Sequence, residues 1–190
     1  MVKTHSGFEQ RACLDAIAAA ECDVKQLALS LTADQFHAPA PSGGWSIGYC
    51  LEHLILSGRA FLPKWDRALE AGSATGRTKS VSFPYHWWYR QVLHMAEPPY
   101  RMKTRAKQEF VPFTRCGMEE TVRRFLLLQK EIGRRVEGSE GLDMLRIKVQ
   151  SPFAAWVSYP LGFSFDLALA HQRRHLWQAW RVRQQLLSDD

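Results

Sequence analysis

From Phe8 to Leu31 the apolar residues Phe8, Ala12, Ala16, Ala20, Val24, Leu27 and Leu31 recur at steps of three and four, with Glu21, Asp23 and Lys25 between them. That period is the helical one, so the spacing predicts a long amphipathic helix. The prolines and glycines of Ala38-Pro39-Ala40-Pro41-Ser42-Gly43-Gly44 break the pattern and predict a loop. Trp45 and Ser46 then open a second helix, with Ser46 placed to cap its free amides. Ile47, Leu51, Leu54, Gly58, Phe61, Leu62, Trp65 and Leu69 draw one apolar stripe down to Glu70. Pro63 lies inside the stripe and predicts a kink.

Between Ala71 and Gly117 no such period holds. Gly72 to Gly76 reads as a turn, Tyr85 to Leu93 as a short helix, and Glu97-Pro98-Pro99 as its stop. A connector this long is expected to be a crossover between distant helix ends. Periodicity returns from Met118 to Val136, with Val122, Phe125, Leu126, Gln129, Ile132 and Val136 on the core side and Glu119 and Glu120 near the N-terminus, where the helix dipole favours them. Leu142 to Leu161 forms a second connector with no convincing alternating strand. Pro160 and Gly162 prepare a last helix, with Ser164 as its expected cap. Four principal helices and no internal repeat place the chain in the all-α class as a helical bundle, with residues 1–190 as a single domain.

Composition narrows the picture little. Cys13, Cys22, Cys50 and Cys116 form no Cys-x-x-Cys pair, so buried free thiols are expected in place of disulfides or a cysteine zinc cluster. No apolar run approaches the roughly 18 residues of a membrane span, and the opening residues lack a secretory leader, so a cytoplasmic location without membrane association is expected. The net charge of +6 permits anionic partners. Its densest source is Arg101, Lys103, Arg105 and Lys107, with Arg134, Arg135, Arg173 and Arg174 elsewhere. No nucleic-acid-binding motif accompanies them, so they read as solvated surface and nucleic acid is not an expected partner.

The last helix carries the chemistry. His171 and His175 are four residues apart, about 40° apart around the helix and one turn along it, so both imidazoles can address one point. Ala168, Gln178, Val182 and Leu186 share their face. A catalytic divalent ion usually has at least three protein ligands, and His53 on the second helix is the candidate third. Its own face also carries Cys50, Ser57 and Ala60, whose small side chains leave room beside the ring. Imidazole nitrogen suits Zn²⁺, Ni²⁺ or Fe²⁺ without choosing among them.

Several neighbours limit this reading. A His-x-x-x-His pair by itself is more often two ordinary histidines than a ligand pair, and spacing alone puts the metal reading slightly ahead of coincidence. Gln172 stands where a zincin peptidase has its general-base glutamate, which argues against that class. Gln178, one turn beyond His175, is placed to orient a ligand or a water. Cys50 is one turn from His53, but a buried inert thiol is the expectation. Tyr85, Trp87, Trp88 and Tyr89 are expected to pack the crossover onto the bundle more than to form a lid. Leu169, Leu176, Trp177, Trp180 and Leu187 form a second apolar stripe, which suggests a homodimer. His5, His37, His86 and His94 receive no function.

Trp45-Ser46, Leu51-Glu52-His53-Leu54, a long crossover and a closing His171-Gln-Arg-Arg-His175-Leu-Trp-Gln178 together resemble the DinB/YfiT-like superfamily of metalloenzymes over nearly the whole chain. The resemblance implies an up-up-down-down four-helix bundle in which three histidines, matched here by His53, His171 and His175, hold a divalent metal. Relatives include mycothiol-dependent maleylpyruvate isomerases and bacillithiol transferases. By that resemblance the ion activates a low-molecular-weight thiol for attack on an electrophilic small-molecule substrate. The alternative is a non-catalytic bundle that binds a small ligand or a regulatory partner, with a structural or vestigial metal.

Overall fold

The structure is a computed structural model that describes residues 8–74, 85–99, 106–112 and 116–188. The four principal helices are α1 (Gln10–Ala28), α3 (Ile47–Ala74), α5 (Met118–Gly138) and α6 (Leu161–Ser188), with two shorter ones, α2 (Ala33–His37) and α4 (Trp87–Ala96). The short α2 is closed by a reciprocal capping box: the Thr32 hydroxyl accepts from the Gln35 amide, and the Gln35 side chain accepts from the Thr32 amide. Its signature in the sequence is Thr32-x-x-Gln35.

The helical period placed each principal helix, and local detail departs from it in informative ways. On α1 the buried residues are Cys13, Ile17, Ala20, Val24 and Leu27. The face is therefore turned by one residue in its first two turns from the one expected through Ala12 and Ala16, because Cys13 and Ile17 offer more apolar surface. Ser46 caps α3 as expected, accepting from the Tyr49 amide at 3.1 Å. The helix then continues through Pro63 to Ala74. Ser164 is not a cap. It lies inside α6, where its hydroxyl donates to the Leu161 carbonyl and accepts the Trp65 indole N–H at 2.8 Å. The free amides of Leu161 and Gly162 donate instead to the carbonyls of Ile147 and Met144 in the preceding connector.

Each of α1 and α3 packs against both α5 and α6, so α1 lies diagonally from α3 and α5 from α6. Cross-helix contacts give the senses. Gln10 donates to the Val136 carbonyl, which sets α1 antiparallel to α5. Trp65 meets Ser164 while His53 meets His171, which sets α3 antiparallel to α6. Glu52 meets Arg124 while Asp66 meets Arg135, which sets α3 parallel to α5. The all-α four-helix bundle with a long crossover is thus the fold of this chain. Read from α1 the senses run up, down, down, up, so the crossover joins the parallel middle pair and the implied up-up-down-down order begins one helix later.

Because α3 and α5 are parallel, the chain must travel back the length of the bundle between them, and α4 makes part of that journey along α6. Tyr85 and Tyr89 set their rings against Phe163, Tyr85 donates to Asp166 at 2.6 Å, and Arg173 pairs with Glu97 through Nε and Nη2. Trp87 and Trp88 remain exposed, so the aromatic cluster is only half committed to packing. The second connector contains a small antiparallel hairpin, β1 (Lys148–Gln150) with β2 (Ser158–Pro160), Val149 opposite Tyr159. Three-residue strands are too short to display an alternating period, which is why no strand was expected there. The second stripe of α6 is largely spent inside the bundle: Leu169 and Leu176 are buried, and Trp180 packs partly against the core.

Gly58 lets α3 approach α5 closely, since a Cβ there would come within 2.6 Å of Leu128 Cδ2. Trp65, fully buried and stacked on Phe61 at 4.9 Å, fills the centre of the lower core. Trp65→Ala should lower the unfolding free energy by about 3–5 kcal/mol in urea titration, the usual cost of emptying a buried aromatic site. A loss under 1 kcal/mol would show that this centre collapses freely.

Candidate metal centre

α3 and α6 run antiparallel, so the N-terminal turns of α3 face the middle of α6. His53 points inward and is 4% exposed, and the two α6 histidines lie one turn apart opposite it. The ring centroids of His53 and His175 are 4.6 Å apart, those of His171 and His175 4.6 Å, and those of His53 and His171 5.1 Å. One nitrogen from each ring lies within 4.8 Å of the other two. The three histidines singled out in the sequence therefore converge, although they come from positions 118 residues apart.

The outer nitrogens decide which atoms face inward. His53 Nδ1 is 2.8 Å from the Phe110 carbonyl, an obligate acceptor, so it carries the proton and donates. His175 Nδ1 is 3.1 Å from Gln178 Oε1 and likewise donates. In neutral rings this leaves each Nε2 with a bare lone pair, a tautomer assigned from the partners. Nε2 of His53 and Nε2 of His171 are 3.3 Å apart. At that distance either His171 Nε2 carries a proton and donates it to His53, or a cation lies between the two nitrogens, since two facing lone pairs repel. Ligand nitrogens about 3.3 Å apart are also what Zn–N bonds of about 2.0–2.1 Å at tetrahedral angles require.

Burial disfavours the charged form of all three imidazoles. It lowers the pKa of His53, against a smaller opposing effect from the Phe110 carbonyl. It takes His171 well below the ordinary value, helped by the charges of His175, His53 and Arg174. It pushes His175 down to about 3, helped by His53 and Arg174. At pH 7 the cluster is neutral, which is the ligating state of imidazole. The donor set therefore fits a divalent ion: neutral rings, convergent lone pairs, and two rings held by their outer N–H groups.

The walls are aromatic. The Trp45 indole lies 5.5 Å from His175 and nearly parallel to it, at 17°, and 4.9 Å from His53. Phe153, from the loop of the hairpin, is 6.3 Å from His171 and packs on Phe61 and Phe110. Sequence reasoning took Trp45 only as a helix opener, and it missed Phe153 and the Phe110 carbonyl. A backbone oxygen in a connector leaves no mark in a sequence.

Other marked residues stand apart. Cys50 is buried in the upper core, its thiol pushed up to about 12 by burial, and it is not in the convergent group. Cys13 and Cys50 are buried as expected, Cys116 only partly, and Cys22 is exposed. Gln178 orients His175 itself. Glu52, beside His53 in sequence, is engaged by Arg124 and Thr121, each at 2.9 Å. His86 caps α4. His5 and the basic residues Arg101, Lys103 and Arg105 lie outside the described residues.

Residues 16–179 match the family model of the DinB superfamily. The chain belongs to the DinB superfamily. No curated protein matches its sequence at a significant level. Among solved structures, YfiT from Bacillus subtilis is described as a probable metal-dependent hydrolase with an unusual four-helix bundle topology. It aligns with a TM-score of 0.58 at 13% identity, covering 93% of this chain and 87% of that one. At that identity the likeness speaks for the fold. In this DinB superfamily bundle the three-histidine cluster makes a divalent metal the indicated cofactor, without naming the element.

Two outcomes are expected of the cluster. Gln178→Leu removes the acceptor that orients His175 and should weaken Zn²⁺ affinity by about 10–100-fold in competition with a chromophoric chelator; unchanged affinity would show that the amide does not hold the ring. The metal-free protein should also lose stability in acid. Unfolded histidines take up protons as pH falls below about 6.5, whereas folded His175 resists until about 3. Stability present above 6.5 is therefore lost progressively between those limits. Urea midpoints from pH 7 to pH 4 should fall in the parent and fall less in His175→Gln.

Proposed function

We propose that this protein is a divalent-metal-dependent enzyme whose ion is held by His53, His171 and His175, and that it acts on a small electrophilic molecule with a low-molecular-weight thiol as the nucleophile. The observation that carries the reading is the convergence of three neutral imidazoles whose outer N–H groups, on His53 and His175, are already engaged. A divalent ion there supplies a Lewis acid that lowers the pKa of the group entering its open position.

The chain's own contribution is positioning and dryness. Trp45 covers His53 and His175, and Phe153 stands at His171, so the rings are partly shielded from water and electrostatic interactions among them are strengthened. Gln178 and the Phe110 carbonyl keep two nitrogens presented as lone pairs. No carboxylate is hydrogen-bonded to the three rings among the described residues. An ion held by these histidines would supply the acidifying charge, and a thiol, with an ordinary pKa of about 8.5, would need less of it than water at about 15.7.

The description of YfiT as a hydrolase supports a second reading, hydrolysis at the same three-histidine site. The two share a metal requirement and part at the nucleophile. Protein purified without an affinity tag and reconstituted with Zn²⁺, Ni²⁺ or Fe²⁺ should hold about one ion per chain by elemental analysis, and His171→Ala should hold none. A parent that takes up none of the three ends both readings. Thiol consumption should then be followed with a panel of electrophiles and mycothiol, bacillithiol and glutathione. Metal-dependent loss of thiol supports transfer, and metal-dependent cleavage of ester or amide substrates without thiol supports hydrolysis.

A further inference from the structure

Beside Trp45 lies a cavity of about 250 Å³, between the loop that precedes α3 and the C-terminal half of α6. Ser42, Trp45, Trp177, Gln178, Arg181 and Gln185 line it. Two of these also belong to the metal centre: Trp45 stacks on His175, and Gln178 accepts its Nδ1 proton. The volume is below that of a drug-sized ligand site and suits a small molecule or one end of a larger one.

The polar groups of the cavity have a consistent sign. The Gln178 carbonyl is taken by His175, and the Gln185 carbonyl is taken by the Ser42 hydroxyl at 3.1 Å. Each carbonyl thus already has a donor, while neither amide nitrogen has a protein partner among the described residues. The third donor is Arg181. Its guanidinium lies 4.9 Å above the Trp177 ring, which holds it in place by cation–π attraction, and among the described residues it pairs with no carboxylate. No acidic residue lines the cavity among the described residues. Three donors, a fixed positive charge and two indole walls call for an acceptor that is anionic and planar.

We propose that this cavity binds the carboxylate end of the small molecule that serves the three-histidine site, with Arg181 as its anchor and the amides of Gln178 and Gln185 as supporting donors. The role assigned to the ligand rests on the metalloenzyme reading; the carboxylate site itself does not.

Glutarate is the probe, glutaramide its neutral isostere, and inorganic phosphate the competing anion. Trp45 and Trp177 face the cavity, so tryptophan emission of the full, metal-free chain reports occupancy, and calorimetry checks it. Glutarate should give a saturable change that glutaramide does not. Arg181→Gln should weaken glutarate by about tenfold or more, as loss of a charge-assisted pair does. Arg90→Gln, an exposed arginine on α4, should leave it unchanged. Absence of saturable glutarate binding, an equal response to glutaramide, tighter binding of phosphate, or an unchanged affinity in Arg181→Gln overturns the assignment. Glutarate binding in a protein that takes up no metal keeps the cavity assignment and removes the metalloenzyme reading. Metal uptake without glutarate binding removes the cavity assignment alone.

Discussion

Trp65 donates its indole N–H to Ser164 inside the core at 2.8 Å, and the pair fixes the level at which α3 runs past α6. His53 lies twelve residues before Trp65 and His175 eleven after Ser164. At about 1.5 Å per residue these are rises of about 18 Å and about 17 Å, so antiparallel helices bring the two imidazoles level. A slip of one turn along either helix would separate them by about 5 Å and leave buried polar rings without partners. Close packing of Phe61, Trp65 and Phe165 around the anchor makes such a slip costly.

The helices bring the rings together, and irregular segments decide how each ring is presented. The turn ending at Phe110 belongs to the crossover that the parallel α3–α5 pair makes necessary, and its carbonyl sets the tautomer of His53. The loop before α3 delivers Trp45, and the hairpin loop delivers Phe153. The long connectors are thus functional parts of the site, in keeping with the general rule that chemistry is finished by loops placed on a rigid scaffold. Trp45 has a double position: it packs on the three-histidine cluster and lines a donor-bearing cavity, and Gln178 likewise meets both.

Burial and neutrality go together in this cluster. Three imidazoles packed this closely cannot all be protonated, because each charge would be desolvated and would repel the next. The same burial keeps lone pairs available at physiological pH. Readiness for a cation and sensitivity to acid are therefore two consequences of one arrangement.

The sequence by itself determined the class of the fold, the four long helices and the three histidines, because these rest on local regularities: a 3.6-residue apolar period, Pro and Gly breaks, and a four-residue histidine spacing. It also contained Ser46 as a cap and Gln178 one turn from His175, both set by helical geometry. Other features depend on what a residue meets across space. The one-residue turn of the α1 face, the role of Ser164 as a partner for Trp65, and the three-residue hairpin strands were decided by packing, which local periodicity does not encode. Only the tertiary structure could show that a backbone carbonyl at Phe110 holds His53, that Trp45 packs on two of the histidines and also lines a cavity, and that Arg181, Gln178 and Gln185 line that same cavity. Those relations join segments far apart in the chain, and they exist only once α3 has found its level on α6.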